Sequence, residues 1–147
     1  MCKKVLSKIQ GAFNSLSIGL KKFHTLYEFE YEHIPMFLSI EAKDQSIVFL
    51  TYVVDSGDIS MDKSVLEMAF DVVDEFHKDF YGEWNDGIPY FASPCFSVKN
   101  MKEVKADWLE EQLKAFYDAY VFLEANIYLL CDSSIIDTII LADSDKQ

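Results

Sequence analysis

The chain contains no arginine. Its 13 basic side chains are all lysine, and they stand against 25 acids for a net charge of −12. A balance this acidic repels a phosphate backbone. The missing residue is also the one best shaped for bidentate phosphate contacts. Nucleic-acid binding is therefore excluded as an expected role. Glycine is scarce too, at five residues. No GxGxxG or GxxxxGK[ST] loop can be drawn from them, and GxSxG and HExxH are also missing. The three cysteines, Cys2, Cys95 and Cys131, are far apart and fit neither CxxC nor a Cys/His ligand spacing. This favours a reducing cytoplasm over a disulfide framework. No apolar run reaches the ~18 residues of a membrane span. Ser7, Lys8, Gln10 and Asn14 interrupt any signal-peptide core.

Half of the 147 residues are apolar and 15% are aromatic. That composition suits a single globular domain over 1–147 with a core large enough to need no staple. Residues 3–23 read as an amphipathic helix, with Val5, Leu6, Ile9, Phe13, Leu16, Leu20 and Phe23 on one stripe. Residues 1–24 hold Lys3, Lys4, Lys8, Lys21 and Lys22 and no acid. A basic helix of this kind can lie on an anionic membrane. Covering one face of a sheet is the expected role, and a membrane partner is not expected.

From Tyr27 the period changes to two: Tyr27, Phe29 and Tyr31 alternate with Glu28, Glu30 and Glu32, as in a strand with one wet face. Pro35 implies a pause or an edge there. Met36 to Val54 reads as a hairpin turning at Lys43-Asp44-Gln45. Ile47 to Val54 is apolar on both alternating faces, which predicts a central strand covered on both sides. Asp55-Ser56-Gly57-Asp58 is a turn, with Ser60 or Asp62 capping a helix from Met61 to Phe80. Leu66, Ala69, Phe70, Val73, Phe76 and Phe80 form its buried stripe. Gly82 to Gly87 reads as a loop. Ile88 to Val98 reads as a strand, made an edge or bulged by Pro89 and Pro94. A long helix follows from Val104 to Leu130, and its second half, Tyr120 to Leu130, is apolar almost all round. Ile135 to Leu141 is a last apolar element before a frayed tail over 142–147.

No motif assigns a catalytic, metal-binding or cofactor-binding residue. Asp71, Asp74 and Glu75 share a helix face, as do Glu110 and Glu111, but 25 acids make such spacings common. Asp55, Asp58 and Asp62 lack the order of an EF-hand loop. His24, His33 and His77 are not spaced as ligands. Cys95, after Pro94, reads as a buried small hydrophobe; as a nucleophile it would need a histidine and an acid brought to it in space. Trp84, Tyr90, Phe91, Phe96, Tyr117 and Tyr120 read mostly as core, with a groove as the alternative.

The element order is helix, hairpin, helix, strand, helix. Its clearest segments are Ser46–Tyr52, Ser64–Phe70 and Trp108–Phe116. In this order, over residues 5–130, the chain resembles the type III secretion chaperone-like fold and, within it, the YbjN family. The resemblance implies an α+β domain with an N-terminal helix before a twisted, mainly antiparallel sheet, and helices packed on one face. It also implies a cytoplasmic, non-enzymatic protein, chaperone-like or regulatory and dimeric, which holds a protein client by an apolar helix face or a sheet edge. The chain departs from that pattern in its Ile135–Leu141 segment and in Pro89 and Pro94. An acidic immunity protein that neutralises a basic toxin is the alternative binding role.

Overall fold

The computed structural model describes residues 2–53 and 63–131. The chain opens with helix α1 (Cys2–Ser15), followed by four strands, β1 (Lys21–Phe23), β2 (Leu26–Tyr31), β3 (Ile34–Glu41) and β4 (Ser46–Tyr52). Helix α2 (Lys63–Phe76), strands β5 (Tyr81–Asn85), β6 (Ile88–Ala92) and β7 (Phe96–Ser97), and helix α3 (Ala106–Cys131) complete it. The strands form one antiparallel sheet in the order β1-β2-β3-β4-β6-β5, with β7 beside β4. The turn Asp55–Asp58, the caps Ser60 and Asp62, Ile135–Leu141 and the 142–147 tail lie outside the described residues.

Four hairpins, β1–β2, β2–β3, β3–β4 and β5–β6, build the sheet from local turn geometry. Glu32 and His33 both have positive φ between β2 and β3, as do Asp86 and Gly87 between β5 and β6. Two such residues in succession make the turn whose twist matches paired strands. The β3–β4 turn over 42–45 has Gln45 at φ 48°.

All three helices pack on one face of the sheet, as the α+β reading requires. Ring contacts fix the arrangement: Phe13 of α1 on Phe29 of β2, Phe116 of α3 on Phe49 of β4, and Phe70 of α2 on Trp84 of β5. Phe91 lies nearly parallel to Phe116, with centroids 5.6 Å apart, and Phe80 stacks against both. Lys8 ties α1 down: its Nζ donates to Gln45 Oε1 at 2.9 Å and to the Val98 carbonyl at 3.0 Å.

Several expectations need correction. The first helix stops at Ser15, and Lys21–Phe23 is a strand. Ser17 enters the left-handed region and Ile18 N–H bonds back to the Phe13 carbonyl, closing the helix end without a glycine. Leu16, Ile18 and Leu20 still pack on the core, which is why the apolar stripe runs past the helix. The second helix ends at Phe76, because Asp79 turns the chain at φ 77° and delivers Phe80 to the aromatic stack. Phe76 is 67% exposed, not part of a buried stripe.

Gly82–Gly87 is not a loop: Tyr81–Asn85 is a strand and only Asp86-Gly87 turns. The pause expected at Pro35 falls earlier, in the Glu32-His33 turn, and Pro35 itself lies inside β3, an interior strand, opposite Glu30. Pro89 sits in β6, an interior strand, and Pro94 divides β6 from β7. Ser93 bridges that break, its N–H donating to the Phe49 carbonyl and its Oγ accepting from Phe49 N–H. Finally, β4 is interior but covered on one side only. Ile47, Phe49 and Thr51 are buried beneath the helices, while Val48, Leu50 and Tyr52 on the other side are half-buried.

Gly82 lies under the Phe70 ring, and a Cβ at that position would run into it. Gly82→Ala is therefore expected to cost about 1–3 kcal/mol of stability by overpacking. In urea titrations the cost should shrink in a Phe70→Leu background. Strictly additive losses would show that the crowding lies elsewhere.

Candidate functional site

The sequence-level candidates are not gathered into a chemical site. Cys95 is exposed rather than buried, because it lies in the break between β6 and β7. His24 stands against Phe23, His33 lies 3.6 Å from Glu30 at the β2–β3 turn, and His77 packs on Phe80 and Phe122. None of the three is brought to Cys95. Among the described residues no group of three or more His, Cys, Asp or Glu could hold a metal ion. Asp71, Asp74, Glu75, Glu110 and Glu111 lie exposed on their helices. Among the described residues no helix is long and apolar enough to cross a membrane.

Among the described residues two largely apolar surfaces stand out. The first is on the helix side. The outer face of α3 presents Val121 at 41%, Tyr128 at 60% and Leu129 at 59% exposure. Phe122 adds to this area, with its ring 5.6 Å from Phe76 of α2 and 5.1 Å from His77. The inner face of the same half, Tyr120, Leu123 and Ile127, is buried in the core. Between Asp118 and Asp132 the only charged residue is Glu124, whose carboxyl is pushed up by burial.

The second surface is the face of the sheet opposite the helices. Strand alternation places Phe23, Phe37, Leu50, Tyr52 and Tyr90 there. Four of these rings form a row across the sheet: Phe23 to Phe37 at 5.9 Å, Phe37 to Tyr52 at 5.3 Å, and Tyr52 to Tyr90 at 6.4 Å. Acids border the row. Glu28 pairs with Phe37 across the ladder, Glu30 with Pro35, and Glu83 with Tyr90. Tyr90 donates its hydroxyl to Glu83 Oε2 at 3.1 Å. Burial first, and then this carboxylate, push the phenol from an ordinary 10.0 up to about 12. Burial and the Glu83 charge also raise Tyr81.

Of the aromatics first considered for a groove, only Tyr90 belongs to this row. Phe91 and Tyr120 are buried, Trp84 meets Phe70, Phe96 meets Phe49 and Trp108, and Tyr117 meets Tyr31. Phe23, Phe37 and Tyr52 were missed. The period-two pattern marks which residues share a face within one strand, but only the register between strands lines up their rings.

No protein-family model and no curated protein matches the chain. Solved structures do. One is a chain of the HopA1–SchA chaperone–effector complex, at TM-score 0.59 and 8% identity, covering 83% of this chain and 94% of that one. This is the type III secretion chaperone-like fold. An uncharacterised protein of Methanothermobacter thermautotrophicus matches at TM-score 0.59 and 13% identity, covering 84% and 96%. YbjN of E. coli, a candidate transcription regulator, matches at TM-score 0.55 and 14% identity, covering 84% and 93%. At these identities the likeness concerns the fold alone.

The Tyr90 environment sets a pH dependence. A phenol whose folded pKa is raised stabilises the fold at pH values below its ordinary 10.0, and that contribution is lost as pH climbs towards about 12. In an ultraviolet titration of the folded protein, one late-ionising tyrosine should vanish in Tyr90→Phe. It should ionise earlier in Glu83→Gln, which removes the charge but keeps the side-chain size. An unchanged titration in both variants would contradict this environment.

Proposed function

We propose that the chain is a non-enzymatic protein-binding module of chaperone-like or regulatory action. It forms one domain over 1–147 and works in the cytoplasm as a homodimer. The observation that carries this reading is the amount of large apolar side chain left open on an ordered scaffold. Val121, Tyr128, Leu129 and Phe76 are each exposed by 41–67%. Contiguous apolar surface on a well-packed protein marks an interaction site, since its burial is worth about 25 cal/mol per Å².

Electrostatics supports the α3 face as the contact with a second copy. Two chains of net charge −12 repel wherever their carboxylates meet. The stretch from Ala119 to Cys131 carries one acid, so it is where like-charged copies approach at least cost. A two-fold dimer also needs a self-complementary patch, which a largely apolar helix face supplies. The neighbouring fold supports a protein partner, because one structural neighbour comes from a chaperone–effector complex. Of the two sheet edges, β1 is short and carries Lys21 and Lys22, which guard against strand addition. The β5 edge, Tyr81–Asn85, is the better place for a client strand.

A second reading, an acidic immunity or inhibitor protein, is favoured by the carboxylates around the open sheet face. Salt distinguishes the two readings: a toxin held by charge is released at moderate ionic strength, whereas a client held by apolar contacts is retained.

Sedimentation velocity tests the dimer. Val121→Asp with Leu129→Asp should convert a dimer to a monomer while leaving the circular dichroism unchanged, because both side chains already face solvent. A dimer that survives both charges places the interface elsewhere, and a wild-type monomer removes the homodimer. Affinity capture from the native lysate tests the wider reading. One stoichiometric protein is expected, and none at low or moderate salt would count against a binding module.

A further inference from the structure

We propose that the helix-free face of the sheet is a docking surface for an extended, arginine-bearing segment of a partner protein, its guanidinium groups laid over the aromatic row. The proposal deepens the protein-binding reading and rests on it. The row Phe23, Phe37, Tyr52 and Tyr90 crosses the sheet with neighbouring ring centroids 5.3–6.4 Å apart. Among the described residues no helix lies on this face, because α1, α2 and α3 all pack against the other. A surface of half-buried rings is sticky towards any apolar chain. Its border gives it a preference.

Glu28, Glu30 and Glu83 project from the same face as the rings, and Lys21, opposite Glu28, is the basic residue alternating onto it. Glu83 is already bonded to the Tyr90 hydroxyl, and Glu30 lies near His33. A planar cation satisfies both halves of this surface at once. It stacks on an aromatic ring through its face and bonds a carboxylate through its edge. Lysine supplies the charge without the plane. A neutral peptide desolvates the carboxylates without adding a cation to them, which opposes binding.

The occupant is not this chain itself. It contains no arginine, so neither a second copy nor a segment of its own supplies a guanidinium. Its net charge of −12 opposes like-charged approach and draws a basic partner towards it. The α3 face and the sheet face thus differ in the chemistry they accept. The helix stripe, with its single acid, suits a second copy, and the acid-bordered aromatic row suits a cationic client.

The test uses the full chain and three short synthetic peptides that alternate leucine with arginine, lysine or glutamine. Binding is measured by calorimetry and mapped by backbone amide chemical shifts. The arginine peptide should bind most tightly, the lysine peptide more weakly and the glutamine peptide least, with shifts on β3, β4 and β6. Affinity should fall as salt rises. Tyr52→Leu, which keeps an apolar side chain, should weaken the arginine peptide about two- to fivefold, the value of one exposed cation–π contact. Glu28→Gln should weaken the arginine peptide and leave the glutamine peptide unweakened or slightly tighter.

Equal binding of the arginine and glutamine peptides overturns the proposal, as do shifts confined to α3 or no binding at all. Shifts of the sheet-face amides on raising protein concentration without peptide also overturn it, by assigning the face to a second copy. The dimer and lysate experiments do not depend on these peptides. A failed peptide series with a captured partner therefore rejects this surface and leaves the binding module standing, while failure of both rejects both.

Discussion

The stack of Phe80, Phe91 and Phe116 joins the end of α2, the sheet and α3 into one core. Phe80 follows α2, Phe91 is in β6 and Phe116 is on α3, and the three rings lie within 21° of parallel. Phe49 of β4 touches Phe116 from the sheet side. Burying aromatic rings of this size dominates core energetics, and each ring contact adds ~0.5–1.5 kcal/mol beyond its area. The stack also dictates chain geometry: α2 must end early, through the left-handed turn at Asp79, for Phe80 to enter.

Because all three helices serve that core, the sheet is left with two unlike faces. The inner face holds Phe29, Met36, Leu38, Ile47, Phe49 and Phe91. The outer face keeps its aromatics half-exposed and bordered by acids. The α3 helix repeats this asymmetry along its length. Its stripe from Leu109 to Ile127 is buried, while Val121, Tyr128 and Leu129 point away. One constraint, a single-sided core, thereby produces both of the surfaces available for recognition. The two surfaces differ in electrostatics: one acid lies on the α3 stretch from Ala119 to Cys131, whereas several border the sheet face.

Much of this fold was legible from the residues. The apolar positions from Trp108 to Leu130, recurring at steps of three and four, marked α3, because a helix this long repeats its pattern often enough to be unambiguous. The alternation of Tyr27, Phe29 and Tyr31 marked β2 for the same reason. Ends were legible where a conventional turn residue stands and obscure where one does not. Ser17 closes α1 in a conformation glycine normally takes, and so the apolar stripe through Leu20 and Phe23 read on as helix. Asp86-Gly87 is a strong hairpin signal, yet Gly82 nearby made the whole stretch look like loop. Gly82 is a strand residue, and its missing side chain makes room for the ring of Phe70.

The sequence alone determined the acidic charge, the absence of any chemical motif, the helix–sheet order and the apolar second half of α3. These depend on composition and on patterns within one element. Tertiary structure decided which of those apolar residues remain open, and that Cys95 and the three histidines stay apart. It also decided that Phe23, Phe37, Tyr52 and Tyr90 form one row. That row depends on the register between β1 and β2, β2 and β3, β3 and β4, and β4 and β6. A shift of one residue in any of those pairings would turn a ring to the helix side. Register is set by the burial of the opposite face, so the outer row exists because the inner face packs as it does.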